Sequence, residues 1–461
     1  MNPHVFKVTD FGARWERLTG SDVRGYALSV LQDPVDPDLL FLGTELGLYF
    51  STDGGQDWTR FSAGVPTVSV MDMAIQAREN DLVLGTHGRS ILVIDDYSGL
   101  RNLTEEAFDQ RLKIISASPG QQYSANPTSS TRFTGSGEFR GENEPYGVMV
   151  TFIASGNDLP HPDAERDRQR RIALRAAAGG QPASGEDADE NKNGDGDSDD
   201  KKKTPKVTVE VSNAAGELIR TYKMPVHQGI NRLTWDMSSD GVRPAPGPDK
   251  RPMEDGLPPG PQTPPGDYRI RLAMGDAEDS IGVATLADPR SALSQQDIEA
   301  NYDARRALQE LQETLVQSLE TIDRTRSDIA MLNALIGRHL EGGENAGDNE
   351  ALKALQKQGA QAIEGLDELE KQFRNPPETK GIVYSADKVS SKLGLAGYYL
   401  ASNPGAPTPA GRFHMDEARS ALAYSLEMVN LYLEGPVAEY RQAVDQAGIG
   451  LLTPENSLSL P

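Results

Sequence analysis

The feature that most constrains the fold of this chain is a short turn sequence that occurs twice near its start. Residues 9–15 read TDFGARW and residues 52–58 read TDGGQDW, so the two copies lie 43 residues apart. A repeat of this period fits one four-stranded module of a radial β-sheet array, a β-propeller. A third, weaker copy follows at an offset of 42, where Gly43-Thr44 recurs as Gly85-Thr86. The repeat therefore predicts terminal propeller blades over residues 1–100.

The residue types in this turn have a structural explanation. An Asp side chain accepts backbone N–H groups across a tight turn, Gly adopts a positive φ, and Trp packs back between neighbouring sheets. A carboxylate site for a metal or for acid–base chemistry is disfavoured, because the repeat itself provides one carboxylate per blade and such chemistry needs a second. The residues predicted to be structural are Ser51, Asp53, Gly55 and Trp58 in one copy and Asp10, Gly12 and Trp15 in the other.

Strand-like alternation returns further along the chain, after a segment predicted to be a linker over residues 101–130. Between 131 and 290, runs such as KVTVEVSN and GDYRIRLAM are separated by turns rich in Pro and Gly, which predicts a β-sandwich. Within it, an acidic stretch over about residues 157–204 has too few large apolar residues to offset the entropy of ordering, so a disordered insertion is predicted.

The last region, residues 291–461, changes to a helical pattern. Apolar residues recur mostly three and four apart from Leu308 to Ile336, which predicts an amphipathic helix of about 45 residues. A second such stripe follows a Gly-rich turn, and two further helical patterns run over about 385–401 and 409–446. Helices with short connections predict an antiparallel bundle. The predicted fold class is thus a multidomain protein with β and α parts.

Composition excludes several classes of function. The 461 residues contain 46 Lys and Arg against 69 Asp and Glu, a net charge of −23, which disfavours nucleic acid and anionic membrane surfaces as partners. The absence of cysteine excludes disulfides and thiolate chemistry. No stretch approaches the length and apolarity of a membrane span, and the first residues do not form a signal peptide.

The turn repeat resembles a known family. Ser51, Asp53, Gly55 and Trp58 match the Ser-x-Asp-x-Gly-x-x-Trp pattern of the Asp-box (BNR) repeat in sialidase-like and sortilin-like β-propellers, whereas the first copy has Val8 in place of Ser. The segment GTHGRSILVIDD looks like the closing blade of bacterial sortilin-like, or "BNR glycosyl hydrolase-like", proteins. The segments GINRLTWDM and PPGDYRIRL and the tripeptide DPR are similar to the immunoglobulin-like domain that follows in that family, and APTPAG resembles its C-terminal helical region.

This resemblance implies a larger parent protein. A propeller closes with about four to eight blades, and two blades plus a partial one are visible. The missing blades are therefore expected in the same parent chain, as the preferred explanation, or in a partner chain. The family resemblance also implies a periplasmic or extracellular location.

Catalytic residues are not assigned from the sequence. The resemblance to sialidases implies an arginine cluster, a tyrosine nucleophile and acidic partners, and the chain offers Arg89, Glu45, His87 and Tyr49 near strand ends. Nothing in the sequence brings these four together, and glycosidases need two carboxylates about 5–9 Å apart. His87 and Arg89 are kept as binding candidates, with a role in the strand turn as the alternative.

One segment of the acidic insertion matches a Ca²⁺-binding loop in part. Oxygen-bearing residues occupy ligand positions of the template, with Gly194 at its sixth position. The candidate ligands are Asp189, Asn191, Asn193, Asp197 and Asp200. The eighth position is Gly196 rather than an apolar anchor, and the last ligand is Asp rather than Glu. A solvated acidic linker without a cofactor is the expectation, with calcium as the alternative.

Two functions of different classes follow. The preferred one is a non-catalytic binding or scaffolding portion of an Asp-box propeller protein, with a protein or a glycan as its ligand. The alternative is the C-terminal part of a sialidase-like glycoside hydrolase whose active site lies mostly in the missing blades. Fold resemblance by itself does not establish an activity, so whether the chain is an enzyme stays open.

Overall fold

The computed structural model describes residues 3–20, 22–124, 141, 143–163, 165–170, 204–246, 253–342, 346–376, 379 and 385–448. In chain order the strands are β1 (Phe6–Thr9), β2 (Arg14–Arg17), β3 (Ala27–Gln32), β4 (Leu40–Thr44), β5 (Gly47–Ser51), β6 (Thr59–Phe61), β7 (Val70–Gln76), β8 (Asp81–Thr86), β9 (Ile91–Ile94), β10 (Leu112–Ala117), β11 (Gly120–Gln121), β12 (Val148–Ala154), β13 (Lys206–Asn213), β14 (Leu218–Pro225), β15 (Gly229–Trp235), β16 (Ser238–Asp240), β17 (Pro259–Gln262), β18 (Gly266–Met274) and β19 (Ala277–Leu286).

The helices are α1 (Glu105–Asp109), α2 (Gln295–Gly342), α3 (Ala346–Phe373), α4 (Val389–Ala401), α5 (Pro409–Tyr432) and α6 (Ala438–Gln446). Short 3₁₀ segments are Asp10–Gly12 and Tyr97–Asn102. The chain divides into two compact units, the first formed by residues 1–237 and 265–290 and the second by residues 238–264 and 291–461. Small antiparallel sheets and a C-terminal helical region together confirm the predicted mixture of β and α parts.

The first unit begins with three antiparallel sheets. Strands β1 and β2 form a two-stranded hairpin, β3 to β6 form a four-stranded sheet in sequence order, and β7 to β9 form a three-stranded sheet. Strands β4 and β5 are buried along their whole length, as their continuous apolar runs predict. One core contains apolar residues of both larger sheets, among them Phe41, Phe50, Leu82 and Leu84.

Two further sheets of the first unit enclose a second core. The order of strands is β10-β12-β15 in one sheet and β11-β19-β18-β13-β14 in the other, where β11 and β19 pair in parallel and the remaining pairs are antiparallel. Along β13 every second residue is buried, and Val207, Val209 and Val211 point into the core, as expected of a sheet with one solvated face. Trp235 lies in the same core, with its ring 5.1 Å from Tyr268.

The second unit combines the short β16–β17 hairpin with helices α2 to α6. The predicted apolar stripe is buried in one helical core, which includes Leu315, Leu319 and Ile322 of α2 together with residues of the other four helices. Thr408 caps α5 by accepting the N–H of Gly411, and Pro409 occupies the first turn, where its missing N–H costs nothing. A π-helical turn around Pro436 joins α5 to α6, because proline cannot donate the regular hydrogen bond.

Three boundaries differ from those expected of the sequence. The predicted linker 101–130 contains α1, β10 and β11, and β10 pairs with β12 as part of a sheet. The predicted disordered insertion began at about 157, yet residues 165–170 are helical and Leu159 is fully buried, because Arg170 donates to the carbonyl groups of Asn157 and Leu159. Residues 238–264, expected in the sandwich, belong to the helical unit.

None of the helices in the described ranges is long and apolar enough to cross a membrane.

Candidate functional site

The second Asp turn, residues 51–58, lies between β5 and β6 and is held by its own polar groups. The hydroxyl of Ser51 donates to Asp53 Oδ1 at 2.6 Å and accepts the N–H of Gly55 at 2.8 Å. The Asp53 carboxylate accepts the N–H of Gln56 at 2.9 Å and that of Asp57 at 3.0 and 3.1 Å. The turn has φ of +93° at Gly55, a conformation that favours glycine.

These contacts set the charge state of Asp53. Burial opposes the charged form, but the hydrogen bonds from Ser51 and from the following backbone N–H groups outweigh it, so the pKa of Asp53 lies below its ordinary value. The carboxylate is thus an anion whose lone pairs are used by the turn itself. A group in this state is a poor general base and has few free lone pairs for a metal ion.

Trp58 attaches this turn to the rest of the first unit. Its indole Nε1 donates to the carbonyl oxygen of Leu18 at 2.7 Å and to that of Gly55 at 3.1 Å. Its backbone N–H donates to Asp22 Oδ2 at 2.9 Å. The side chain is 5% exposed and packs in a small core with Val23, Leu40, Leu42 and Tyr49. Trp58 therefore joins the four-stranded sheet to residues that follow β2.

The first Asp turn lies between β1 and β2 and repeats only the local part of this arrangement. Trp15 Nε1 donates to the carbonyl oxygen of Gly12 at 3.0 Å, the counterpart of the Trp58 to Gly55 bond. Gly12 has φ of +96°, and Asp10 and Phe11 also have positive φ. Trp15 is 67% exposed, however, and its ring contact is the edge of Phe6 at 6.1 Å.

The two binding candidates His87 and Arg89 lie together in the turn between β8 and β9. The turn is closed by Thr86 Oγ1, which donates to the carbonyl oxygen of Ser90 at 2.6 Å. The backbone N–H of His87 donates to the carbonyl oxygen of Ser69 at 3.0 Å. Both candidate side chains are exposed, and neither makes an ion pair or hydrogen bond with another residue of the described ranges. Both side chains are therefore available to a ligand.

Of the other residues named from the sequence, Glu45 shares the partner Ser69 with His87, whereas Tyr49 lies in a core. Tyr49 is buried in the core around Trp58, and its hydroxyl accepts the N–H of Arg24 at 3.3 Å. The carbonyl oxygen of Glu45 accepts the hydroxyl of Ser69 at 3.0 Å. The calcium-loop candidates, Asp189, Asn191, Asn193, Asp197 and Asp200, lie outside the described residues. Within the described ranges, no group of three acidic or histidine side chains is arranged to hold a metal ion.

A cluster of carboxylates that sequence reasoning missed surrounds the end of β9. Burial, together with the neighbouring Asp81, raises the pKa of Asp95. Burial also raises the pKa of Glu144, together with Asp95, Asp81 and two further carboxylates. Arg232 donates to the carbonyl oxygen of Asp95 at 2.7 Å and also to that of Asp96. Raised carboxylate pKa values are typical of sites that transfer protons, although ion-pair networks also produce them.

A second missed group is a buried network that connects the β3–β4 turn to the residues after β9. Arg101 donates twice to the Asp33 carboxylate, at 2.9 Å for each bond, and the Tyr97 hydroxyl donates to it at 2.5 Å. Burial opposes ionisation of Asp33, but these bonds and two backbone N–H groups lower its pKa to about 2. In the sequence, Asp33 is one of three acidic residues in the turn QDPVDPD. Nothing there indicates that its partner is Tyr97, 64 residues away.

Comparison with known proteins adds little to these observations. No family model matches the chain, and no curated protein matches it. A solved structure titled "pT26-6p" is similar at 15% sequence identity with a TM-score of 0.12. The match covers 53% of this chain and 43% of that one, so the chain spans less than half of the length of that structure.

Proposed function

We propose that this chain is a non-catalytic binding or scaffolding portion of a sortilin-like Asp-box protein, with its first sheets as propeller blades and its second pair of sheets as an immunoglobulin-like sandwich. The observation that carries the proposal is the second Asp turn, where the hydroxyl of Ser51, the carboxylate of Asp53 and the indole of Trp58 are all occupied by contacts inside the fold. The turn serves to hold parts of the fold together, and the proposed binding function therefore lies in the exposed surfaces of the sheets. The ligand class is a protein or a glycan, in a periplasmic or extracellular setting.

The surface with the clearest binding potential is the β1–β2 hairpin. By the 43-residue repeat, β1 corresponds to the region of β5, and β5 is flanked by both β4 and β6. In the described part of the chain, β1 pairs with β2 alone, which leaves its other edge open. Open strand edges accept further strands.

Side chains around this edge are apolar as well as exposed. Phe6 is 48%, Val8 is 43% and Trp15 is 67% exposed. The indole of Trp58 donates to Leu18, 40 residues earlier in the chain, and the indole of Trp15 makes no such distant contact among the described residues. We propose that the partner of β1 is a strand from further blades, supplied by the same parent chain or by a partner chain.

A grafted copy of the missing strands tests this proposal. Residues 22–47, which contain β3 and β4, are fused directly ahead of Val5, so that the repeat register of 43 is kept. We expect the copied β4 to pair with β1, which shields Trp15 from acrylamide quenching and slows amide exchange in β1. The matched control carries Leu42→Pro in the copied strand, because proline is excluded from a central strand. If Trp15 stays as accessible in the graft as in the control, the hairpin is not a binding edge and the proposal fails.

The alternative, part of a glycoside hydrolase, is favoured by one observation. Asp95 and Glu144 both have a raised pKa in one acidic cluster, and a protonated carboxylic acid is what a glycosidase uses as its general acid. The test is hydrolysis of a panel of aryl glycosides between pH 4 and 7 by the chain and by the grafted form. Activity that is lost in both Asp95→Asn and Glu144→Gln would support an enzyme, and no turnover across the panel would eliminate it.

A further inference from the structure

The second unit contains a cavity of about 460 Å³ that none of the preceding functions uses. One wall is a face of α2, on which Arg305, Leu308, Gln309 and Gln312 follow one another at helical spacing. The opposite wall is formed by the segment that leaves β16, including Val242, and by β17, including Pro259. The volume lies within the range of small-molecule sites in proteins. We call it the Arg305 cavity.

The cavity is held open by contacts between α2 and the hairpin. Gln309 Nε2 donates to the carbonyl oxygen of Asp240 at 2.9 Å, where β16 ends. Arg243, three residues after Asp240, forms ion pairs with Glu313 and with Glu320, the second at 2.9 Å. This hydrogen bond and these ion pairs hold the β16–β17 hairpin against α2 and fix the shape of the cavity.

The two arginines that line the cavity differ in their partners. Arg243 is neutralised by two carboxylates, whereas Arg305 makes no ion pair or hydrogen bond with any residue of the described ranges. The residues three and four positions away on α2 are Asn301, Tyr302, Leu308 and Gln309, none of which is acidic. The helix therefore offers no carboxylate within its usual reach of the Arg305 guanidinium.

An arginine in this position is unfavourable unless something binds it. Arg305 is half-buried, and burial lowers the pKa of its guanidinium without any opposing contribution. Arginine nevertheless stays protonated at neutral pH, so the cavity keeps a positive charge. In a chain with a net charge of −23, a partly desolvated cation without a carboxylate partner among the described residues is the reverse of the prevailing pattern. An external anion would supply a partner for the Arg305 guanidinium.

We propose that the Arg305 cavity binds a small organic molecule that carries one carboxylate on an apolar body. The fork of the guanidinium matches a carboxylate with two parallel hydrogen bonds. Within the described ranges one lining cation is unpaired, which calls for one negative charge, and the side-chain amide of Gln312 supplies a further donor. The apolar part of the lining includes Leu308, Leu315, Val316 and Pro259, which suit a hydrocarbon or aromatic body.

The test compares acids with their neutral amides. Benzoate, phenylacetate and hexanoate are titrated against the full chain by calorimetry and by saturation-transfer NMR, each beside benzamide, phenylacetamide or hexanamide. We expect at least one acid to bind at millimolar concentration or below, and its amide to bind at least about tenfold more weakly, because the amide lacks the charge. Equal binding of acid and amide, or no binding of any acid up to about 20 mM, would overturn the proposal.

Two variants connect the binding to the cavity. Arg305→Gln is expected to weaken the acid at least about tenfold, and Gln312→Glu is expected to do the same by placing a competing carboxylate in the cavity. Arg338→Gln is the matched control, since Arg338 is an exposed residue of the same helix. Helical circular dichroism confirms that each variant is folded. Unchanged affinity in both cavity variants would show that the acid binds elsewhere and would refute the assignment.

One residue of the chain itself is a competitor for the guanidinium. Residues 247–252 lie in the sequence between the two segments that form the wall opposite α2, are outside the described ranges and contain Asp249. Asp249→Asn is expected to leave the affinity for the acid unchanged within about twofold. A gain of about tenfold or more in this variant would mean that Asp249 occupies the guanidinium, and the cavity would then not serve an external ligand.

Discussion

The two Asp turns of the first unit have nearly the same local sequence and very different surroundings. In both, an indole Nε1 donates to the carbonyl oxygen of the glycine three residues earlier, at 3.0 Å for Trp15 and 3.1 Å for Trp58. Trp58 is 5% exposed and Trp15 is 67% exposed. The local sequence thus determines the turn, and the neighbouring strands determine whether its tryptophan is buried.

This difference can be tested cleanly because of where the tryptophans lie. The chain contains three of them, Trp15, Trp58 and Trp235, and all are in the first unit, so tryptophan fluorescence follows the unfolding of that unit. The long helices α2 and α3 belong to the second unit and are followed by circular dichroism. Variants of either turn can therefore be compared without interference from the helical unit.

The largest effect is expected for the buried tryptophan. Trp58→Ala should lower the free energy of unfolding of the first unit by about 3–5 kcal/mol, because it removes a packed aromatic side chain and leaves a cavity. Urea unfolding followed by tryptophan fluorescence measures it, with Trp235 as the remaining buried reporter. Trp15→Ala is the matched control and should cost about 0.5 kcal/mol or less. Equal losses in the two variants would mean that the turns are equivalent after all.

A second effect concerns Asp33, whose hydrogen bonds from Tyr97 and Arg101 connect the four-stranded sheet to the residues after β9. The pKa of Asp33 is lowered to about 2, so its ionised form stabilises the folded unit by about 2 kcal/mol at pH values above about 4. Because the folded pKa lies below the unfolded one, this stabilisation is lost as the pH falls from about 4 towards 2.

Unfolding measured across that pH window checks the expectation. Asp33→Asn should flatten the dependence of stability on pH, and Tyr97→Phe, which removes one of the hydrogen bonds to Asp33, should flatten it in part. If Asp33→Asn loses stability with falling pH as steeply as the unmodified chain, another group causes the pH dependence and the charge of Asp33 does not stabilise the folded unit.

Within the turns themselves, the two Asp residues should differ. Asp53→Asn should cost about 1.5 kcal/mol, because backbone N–H groups of Gln56 and Asp57 lose a charged acceptor. Asp10→Asn should change stability by less than about 0.5 kcal/mol, since no side-chain hydrogen bond of Asp10 is formed with the described residues. The same urea titration serves for both. A loss at Asp10 as large as that at Asp53 would show that the first turn is also held by its carboxylate.

The smallest effect on stability is expected for Trp15→Phe, which should nevertheless change the quenching of tryptophan fluorescence clearly. Trp15 is the exposed tryptophan, while Trp58 and Trp235 are 5% and 1% exposed. Acrylamide quenching of the unmodified chain should therefore report on Trp15, and Trp15→Phe should remove most of the quenchable emission while changing the free energy of unfolding by less than about 0.5 kcal/mol. Quenching that persists in this variant would place one of the other tryptophans at the surface.

Much of the secondary structure follows from sequence pattern, but the grouping of the elements does not. The apolar stripe from Leu308 to Ile336 predicts a long helix because one face must be buried, and α2 spans 48 residues. Residues 238–264 look like part of a β-domain, yet they belong to the helical unit. The reason lies in contacts such as that of Arg243 with Glu313, which join residues 70 positions apart and have no local signature.

The same limit applies to the candidate sites. His87 and Arg89 are neighbours in the chain, and the sequence alone places them in one turn. Asp95 and Glu144 come together only through folding, and their raised pKa values depend on that proximity and on burial. Arg305 is an ordinary helical arginine in the sequence, and only the folded structure shows that none of the described carboxylates pairs with it.

The sequence by itself determined the strands, the long helices and the hydrogen bond from indole to glycine carbonyl in both Asp turns, because alternation, helical periodicity and turn hydrogen bonds act over a few residues. The tertiary structure decided which turn is buried, which segment joins which unit and where charges are left unpaired. Those properties depend on contacts between residues far apart in the chain. Trp58 is buried because Leu18 and Asp22 reach it, and Trp15 is exposed because no described residue takes the same place.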